Sequence, residues 1–267
     1  MAMPGRAEPP GRLLGAGRSA EVYDIGGGRI LRRYNDRAKS AEREAKIISW
    51  AGEHGVPVPE VFDTDGPDIV MERVDGPTML ADLARCPWRL FRHAASLARL
   101  QQQVHAAPRL DGLRAPFGDG GVLLHLDLHP DNVLLSARGP VVIDWEGAGC
   151  GPAEADFALC WVVVAMSLVP GSAWQRAVGR AGQRMFANAV LRHGGLRAGD
   201  PWLAKAARFR LDDPSVLEPE AVRIRQLLAR AGADAGADAG PGPDAGPGPD
   251  ASRGADANAS PGADAGP

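Results

Sequence analysis

Apolar and polar positions alternate in short runs over roughly the first 75 residues, then settle into longer helical stripes. From Arg12 the pattern predicts three strands. The first ends in a Gly15-Ala16-Gly17-Arg18-Ser19 turn, the second in a glycine turn at 26–28, and the third is Arg29-Ile30-Leu31-Arg32. Residues 40–52 read as a helix, with Ala41, Ala45 and Ile48 on one stripe and acids in the first turns. Gly55-Val56-Pro57-Val58-Pro59 ends it, and residues 68–74 form a strand that leaves through Asp75-Gly76-Pro77. Residues 88–105 give the clearest amphipathic helix, with Leu90, Phe91, Ala94, Leu97, Ala98 and Val104 expected in the core. A helix is predicted over 153–169; its apolar run from Phe157 to Val169 is too short for a membrane span, which needs about 20 such residues, and is read as buried. Helices over 174–193, 201–210 and 219–231 complete the series.

The most informative stretch is 122–146. Apolar runs at 133–135 and 141–143 flank a turn at Gly139-Pro140, which reads as a hairpin. His125, Asp127 and Asn132 precede its first strand and Asp144 follows its second. Closing the hairpin brings Asp127, Asn132 and Asp144 to one small volume, where such groups repel or hold protons unless a cation sits among them. Asn132 and Asp144 offer the hard oxygen ligands that Mg²⁺ prefers, which leaves Asp127 to take a proton. In the first turn, Gly15 and Gly17 allow the backbone to approach phosphate oxygens, with amide groups and Ser19 as donors.

Composition sharpens the picture in three places. At 267 residues and 45% hydrophobic content, the chain can bury the core of one large domain or two lobes. Residues 231–267 are almost wholly Ala, Gly, Pro and Asp, a composition expected to be disordered, and carry six Asp against one Arg. Removing that −5 from the whole-chain −3 leaves a body of +2, so no nucleic-acid footprint is expected. Arg outnumbers Lys 27 to 3, which is read as a bias of composition. Three cysteines, Cys86, Cys150 and Cys160, form neither a metal pattern nor a disulfide framework. With no signal-peptide pattern in the first ten residues, a cytoplasmic setting is expected, with no membrane and no protein partner.

The order His125-Leu126-Asp127-Leu128-His129-Pro130-Asp131-Asn132, followed by Ile143-Asp144-Trp145-Glu146, resembles the aminoglycoside phosphotransferase and choline kinase-like family. The resemblance implies an α+β, two-lobed protein-kinase-like fold. A small antiparallel-sheet lobe over 12–75 would bind the nucleotide, and a mainly helical lobe over 76–230 would carry the catalytic loop and acceptor pocket. Residues 1–11 and 231–267 would be flexible ends. Asp127 would be the catalytic base, and Asn132 and Asp144 would hold magnesium. Arg32 would stand where the family has a phosphate-gripping lysine, with Glu44 as its partner. Backbone groups near Glu72 and Val74 would meet adenine, His125 would tie the loop to the backbone near Asp144, and Asp156 would anchor the loop.

Leu126 replaces the family glycine and is strained if that position needs a positive φ. In the acceptor region, Glu154, Asp200, Asp212 and Asp213 are the acids available to a cationic substrate. The implied activity is an ATP- and Mg-dependent transfer of the γ-phosphoryl group to a small-molecule alcohol. The alternatives are a nucleotide-binding pseudokinase, for which Arg32 and Leu126 speak, and an interaction protein that works through its acidic tail.

Overall fold

The computed structural model describes residues 10–118 and 121–238; the expected flexible N-terminus lies almost wholly outside them, as does residue 239 onward of the expected tail. The N-terminal part contains β1 (Arg12–Ala16), β2 (Ala20–Gly26), β3 (Arg29–Tyr34), α1 (Glu42–Glu53), β4 (Val61–Asp65) and β5 (Asp68–Glu72). The five strands form one antiparallel sheet in the order β1-β2-β3-β5-β4. Val22 lies opposite Arg32, and Ile30 opposite Met71, so these four share the sheet face that lines the cleft. Arg33 points the other way and grips Asp68 through two bonds of 2.7 and 2.5 Å. α1 buries Glu44, Ala45, Ile47, Ile48 and Ala51; a glutamate on that apolar face already signals a partner.

Beyond the sheet the chain turns helical. α2 (Met79–Arg85), capped by the Thr78 hydroxyl on the Ala81 N–H at 3.1 Å, leads through a 3-10 turn (Pro87–Arg89) into α3 (Leu90–Ala106). β6 (Val122–Leu124), β7 (Val133–Ser136), β8 (Gly139–Val142) and β9 (Gly149–Gly151) follow, then α4 (Ala153–Met166), α5 (Ala173–His193), α6 (Pro201–Leu211) and α7 (Glu218–Asp238). α4 is buried on nearly every side, as a helix apolar all round beyond its first turn must be. No helix among the described residues is long and apolar enough to cross a membrane. This is the two-part, kinase-like architecture expected, with an antiparallel sheet first and a helical region after it.

Four details differ from the expectation. α2 and β4 were not foreseen, being short elements without a complete period. In α3, Phe91 is 57% exposed, whereas His93 takes a buried place because Asp82 lies 2.7 Å from its Nε2. Gly149-Cys150-Gly151, expected as a flexible turn, is a strand paired with β6. A Cβ at Gly149 would lie 2.7 Å from the Arg114 carbonyl oxygen, so close packing, not flexibility, requires glycine there. α7 continues past residue 231 to Asp238, since its Ala-rich sequence favours a helix once one is started.

The connection between the two parts is held tightly. Leu135 donates to the Pro77 carbonyl at 2.9 Å, Val142 to the Pro57 carbonyl at 2.8 Å, and Thr78 bridges Leu134. Gly76 sits at φ +151°, where a Cβ would fall 2.1 Å from the Leu135 carbonyl oxygen. Gly76→Ala is therefore expected to cost about 2–4 kcal/mol and lower Tm by roughly 5–10 °C. Gly66→Ala, at φ +53° with nothing within 4 Å, should cost about 1 kcal/mol. Equal losses of Tm in the two variants would show that the approach to Leu135 is not what demands Gly76.

Candidate active site

The loop before β7 is built on one buried carboxylate. Asp156, in the first turn of α4, accepts the backbone N–H of His125 at 3.1 Å and of Leu126 at 2.8 Å. His105 Nε2, from the end of α3, lies 3.0 Å from the same carboxylate. Burial alone would raise the Asp156 pKa, but the His105 bond and charge and the loop N–H groups bring it below the usual value. That grip holds Leu126 at φ +65°, the left-handed conformation a side chain resists by about 1–2 kcal/mol.

His125 lies wholly inside the protein against the Trp145 ring, 4.6 Å between centres. Its Nδ1 accepts the Asp127 N–H at 3.3 Å, so its Nε2 carries the proton and donates to the Ile143 carbonyl at 3.1 Å. The ring therefore links the loop to the residue before Asp144. Burial lowers its pKa, and the neutral form is the one these bonds require.

Asn132 closes a 3-10 turn (Pro130–Asn132) whose capping His129 accepts the Asp131 N–H on Nδ1 at 3.3 Å. The Asn132 Nδ2 donates to the Asp127 carbonyl at 2.9 Å and lies 3.4 Å from Asp127 Oδ2. Ile143 donates to the Asn132 carbonyl at 3.0 Å, so the hairpin register sets Asn132 beside the strand that delivers Asp144. Asp144 also has φ +65°, a conformation Asp tolerates better than most. Burial raises the Asp127 pKa, but His129 and Arg210 outweigh it and keep the carboxyl below its ordinary value. Among the described residues no group of three His, Cys, Asp or Glu side chains gathers as a ligand set. A divalent cation here would rest on Asp144 and the Asn132 amide oxygen, with further oxygens from phosphate or water, a donor set that suits magnesium.

Across the cleft, Arg32 uses one arm of its guanidinium on Glu44 and the other on Asp144, at 2.9 Å. Burial works against its charge, yet Glu44 and Asp144 hold it protonated more firmly than usual. Burial raises the Glu44 pKa against the pull of Arg32, and Tyr34 donates its hydroxyl to the same carboxylate. Lys39 pairs with Glu146 and lies 4.2 Å from the centre of the Tyr34 ring. Three carboxylates, Glu44, Asp144 and Glu146, thus face two cations, Arg32 and Lys39.

In the glycine turn, Gly17 donates to Ala20 at 2.8 Å, and Asn35 Nδ2 holds the Arg18 carbonyl at 2.7 Å. Gly15 has nothing within 4 Å of where a Cβ would lie, so its surface is open to a ligand. The Glu72 N–H is committed to the Glu60 carbonyl at 2.8 Å and its side chain to Arg138 at 2.7 Å. Val74 has no backbone partner among the described residues, which makes it the freer of the two expected adenine contacts.

Gly15, Gly17, Ser19, Arg32, Glu44, Glu72, Val74, Asp127, Asn132 and Asp144 all line one cleft of about 1450 Å³. His125 and Asp156 stand behind its wall. Lys39, Glu146, Arg43 and Arg114 also line it and had no part in the expected site. Only one sign of them was available in sequence, Lys39 being one of three lysines among so many arginines. Of the four acids available to a cationic substrate, Glu154 and Asp200 are not on this cleft, and Asp200 caps α6 through the Trp202 N–H at 3.0 Å. Asp213 is bonded to Arg210 at 2.7 Å, and Asp212 stands exposed.

Residues 10–119 and 80–204 match the model of a family described as the phosphotransferase enzyme family. No curated protein matches the sequence significantly. Among solved structures, the fold is similar to a thermostable mutant of aminoglycoside phosphotransferase APH(4)-Ia in ternary complex with ADP and hygromycin B. That match has TM-score 0.58 and 16% identity, covering 86% of this chain and 94% of the other. ADP-bound aminoglycoside phosphotransferase APH(2'')-Ib aligns with TM-score 0.56 and 14% identity over 81% and 91% of the two chains. Choline kinase LicA from Streptococcus pneumoniae aligns with TM-score 0.52 and 14% identity over 84% and 92%. At these identities the shared property is the fold.

The buried His125 ties pH to stability. Its folded pKa is below the ordinary 6.5, so stability is fully present above pH 6.5 and falls as an unfolded chain gains a proton that the folded one refuses. Asp156 adds a loss of the same sign only below its ordinary 3.8. Tm should therefore drop between pH 7.5 and 5.5, by an amount that shrinks in His125→Gln. An unchanged slope in that variant would remove His125 as the titrating group.

Proposed function

The chain belongs to the phosphotransferase enzyme family, and we propose that it is a kinase moving the γ-phosphoryl group of ATP to an alcohol on a small molecule. The observation that carries this reading is the meeting of Asp127, Asn132 and Asp144 on one cleft with the glycine turn and Arg32. Its volume exceeds the roughly 300–1,000 Å³ of a single small-molecule site, which leaves room for a nucleotide and an acceptor together. On this reading the lobes divide near residue 75, with adenine against Val74 and Glu72 and the phosphates under the glycine turn and Ser19. Three reduced cysteines fit a cytoplasmic setting.

Asp127 would accept a hydrogen bond from the acceptor hydroxyl and orient its oxygen toward the γ-phosphorus. As the new O–P bond forms and the bond to the bridging oxygen breaks, ADP departs and the hydroxyl proton passes to Asp127. A carboxylate held below its usual pKa is a weak base, which suits a loose transition state that asks for orientation more than early deprotonation. Arg32, steadied by Glu44, would offer positive charge to the phosphates. Asn132 and Asp144 would hold magnesium, which when bound neutralises phosphate oxygens; the excess of carboxylate at this end of the cleft favours such a cation.

Asp127→Asn should reduce kcat by about 10²–10⁴-fold with nucleotide affinity within a few-fold of wild type. Turnover at the wild-type rate would reject Asp127 as the base. Asp144→Ala should remove the magnesium dependence of ATP binding, read by titrating nucleotide with and without the metal; an unaltered metal titration would reject the ligand role.

A further inference from the structure

The charges that line the cleft are not all matched in the same way. Arg32 and Lys39 are matched to carboxylates, and Arg73 to Asp24 and Asp75. Arg210, near enough to Asp127 to lower its pKa, is matched to Asp213 and Glu220. Arg43 and Arg114 have no carboxylate partner among the described residues. Arg43 donates to the carbonyls of Glu146 at 3.2 Å and Ala148 at 2.8 Å. Arg114 donates to the intervening Gly147 carbonyl at 2.6 Å. Two guanidinium groups thus converge on three successive carbonyls directly after the Asp144 segment. One edge of Arg114 lies against the Phe209 ring, 5.7 Å from its centre, while the rest of the side chain is exposed to the cleft.

Like charges held side by side are costly unless an anion joins them. Desolvation and the repulsion of Arg43 lower the Arg114 pKa, and Asp213, itself bonded to Arg210, offsets them only in part. A guanidinium with donors left over is also the side chain best shaped to receive a carboxylate or phosphate. Arg18, likewise without a carboxylate among the described residues, sits in the glycine turn, where nucleotide phosphate would meet it.

We propose that the acceptor alcohol carries an anionic group, a carboxylate or a phosphate, received by Arg114 with Arg43 beside it while its hydroxyl faces Asp127. This rests on the kinase reading above and names the substrate class of that site. Exposed Asp131 and Asp212 line the same cleft, so an acceptor bearing an ammonium as well is also accommodated; one bearing only positive charge is not preferred.

The test is ATP consumption by the full chain with hydroxyl compounds in matched sets, an anionic, a neutral and a cationic member on each carbon skeleton. Carboxylate and phosphate forms of the anionic member separate the two sources. Asp127→Asn serves as the blank. Wild type should show kcat/KM about tenfold or more higher for the anionic than for the cationic member. Arg114→Glu should lose that ratio mainly through KM, Arg114→Lys should keep its sign, and both should bind a non-hydrolysable ATP analogue. A role limited to clamping the 146–148 carbonyls would instead lower kcat for all members alike, which overturns the proposal. Preference for cationic or neutral members overturns it and leaves the kinase reading standing. Turnover with no member above the blank overturns the kinase reading and this inference with it.

Discussion

A single buried carboxylate, Asp156, holds the site in shape. It lies inside the protein, takes two N–H groups from consecutive residues of the loop and faces the imidazole of His105. A charge in that position is tolerable only because every side of it is answered. In return it holds a leucine in a backbone conformation that leucine avoids, and so aims Asp127 at the cleft. His105 closes α3, Asp156 opens α4, and the loop lies between them. The packing of two core helices therefore sets the direction in which a surface carboxylate points.

Arg32 does on the sheet side what Asp156 does beneath the loop, with the signs exchanged. Its two arms join α1 to the residue that follows the hairpin, through Glu44 and Asp144. Lys39 and Glu146 repeat the connection one step outward. The sheet, its helix and the hairpin end are thus coupled by charge in the absence of any ligand. Phosphate and a divalent cation entering this region would add opposite charges to a network that already alternates in sign, and Arg32 and Asp144 could each turn to the newcomer without leaving a bare ion.

Much of the fold was legible because periodicity reports burial. The stripes of α1 and α3, the apolar body of α4 and the strands β1, β2, β3 and β5 follow from it. The hairpin and its polar ends were legible for a different reason, since chemistry confined to a short loop leaves fixed residue types at short spacing. What could not be read depends on pairs distant in the chain. Lys39 finds Glu146 across 107 positions and Arg43 finds Ala148 across 105, and neither residue type announces its partner. His93 displaced Phe91 from the core for the same reason, because Asp82 supplies what a buried imidazole needs. Gly149 reads as a flexible turn until the carbonyl of Arg114 is known to press against it.

The bonds from Leu135 to Pro77 and from Val142 to Pro57 leave the two strands of one hairpin and end on both sides of β4 and β5. Any motion that keeps both has to rotate about the line through them, as a door does about two pintles. Displacement then grows with distance from that axle, so the glycine turn between β1 and β2, on the outer strand of the sheet, sweeps the longest arc. The hairpin end bearing Asn132 and Asp144 lies close to the line and scarcely travels. The floor that carries Asn132 and Asp144 can therefore stay still while the glycine turn above the cleft rises and falls.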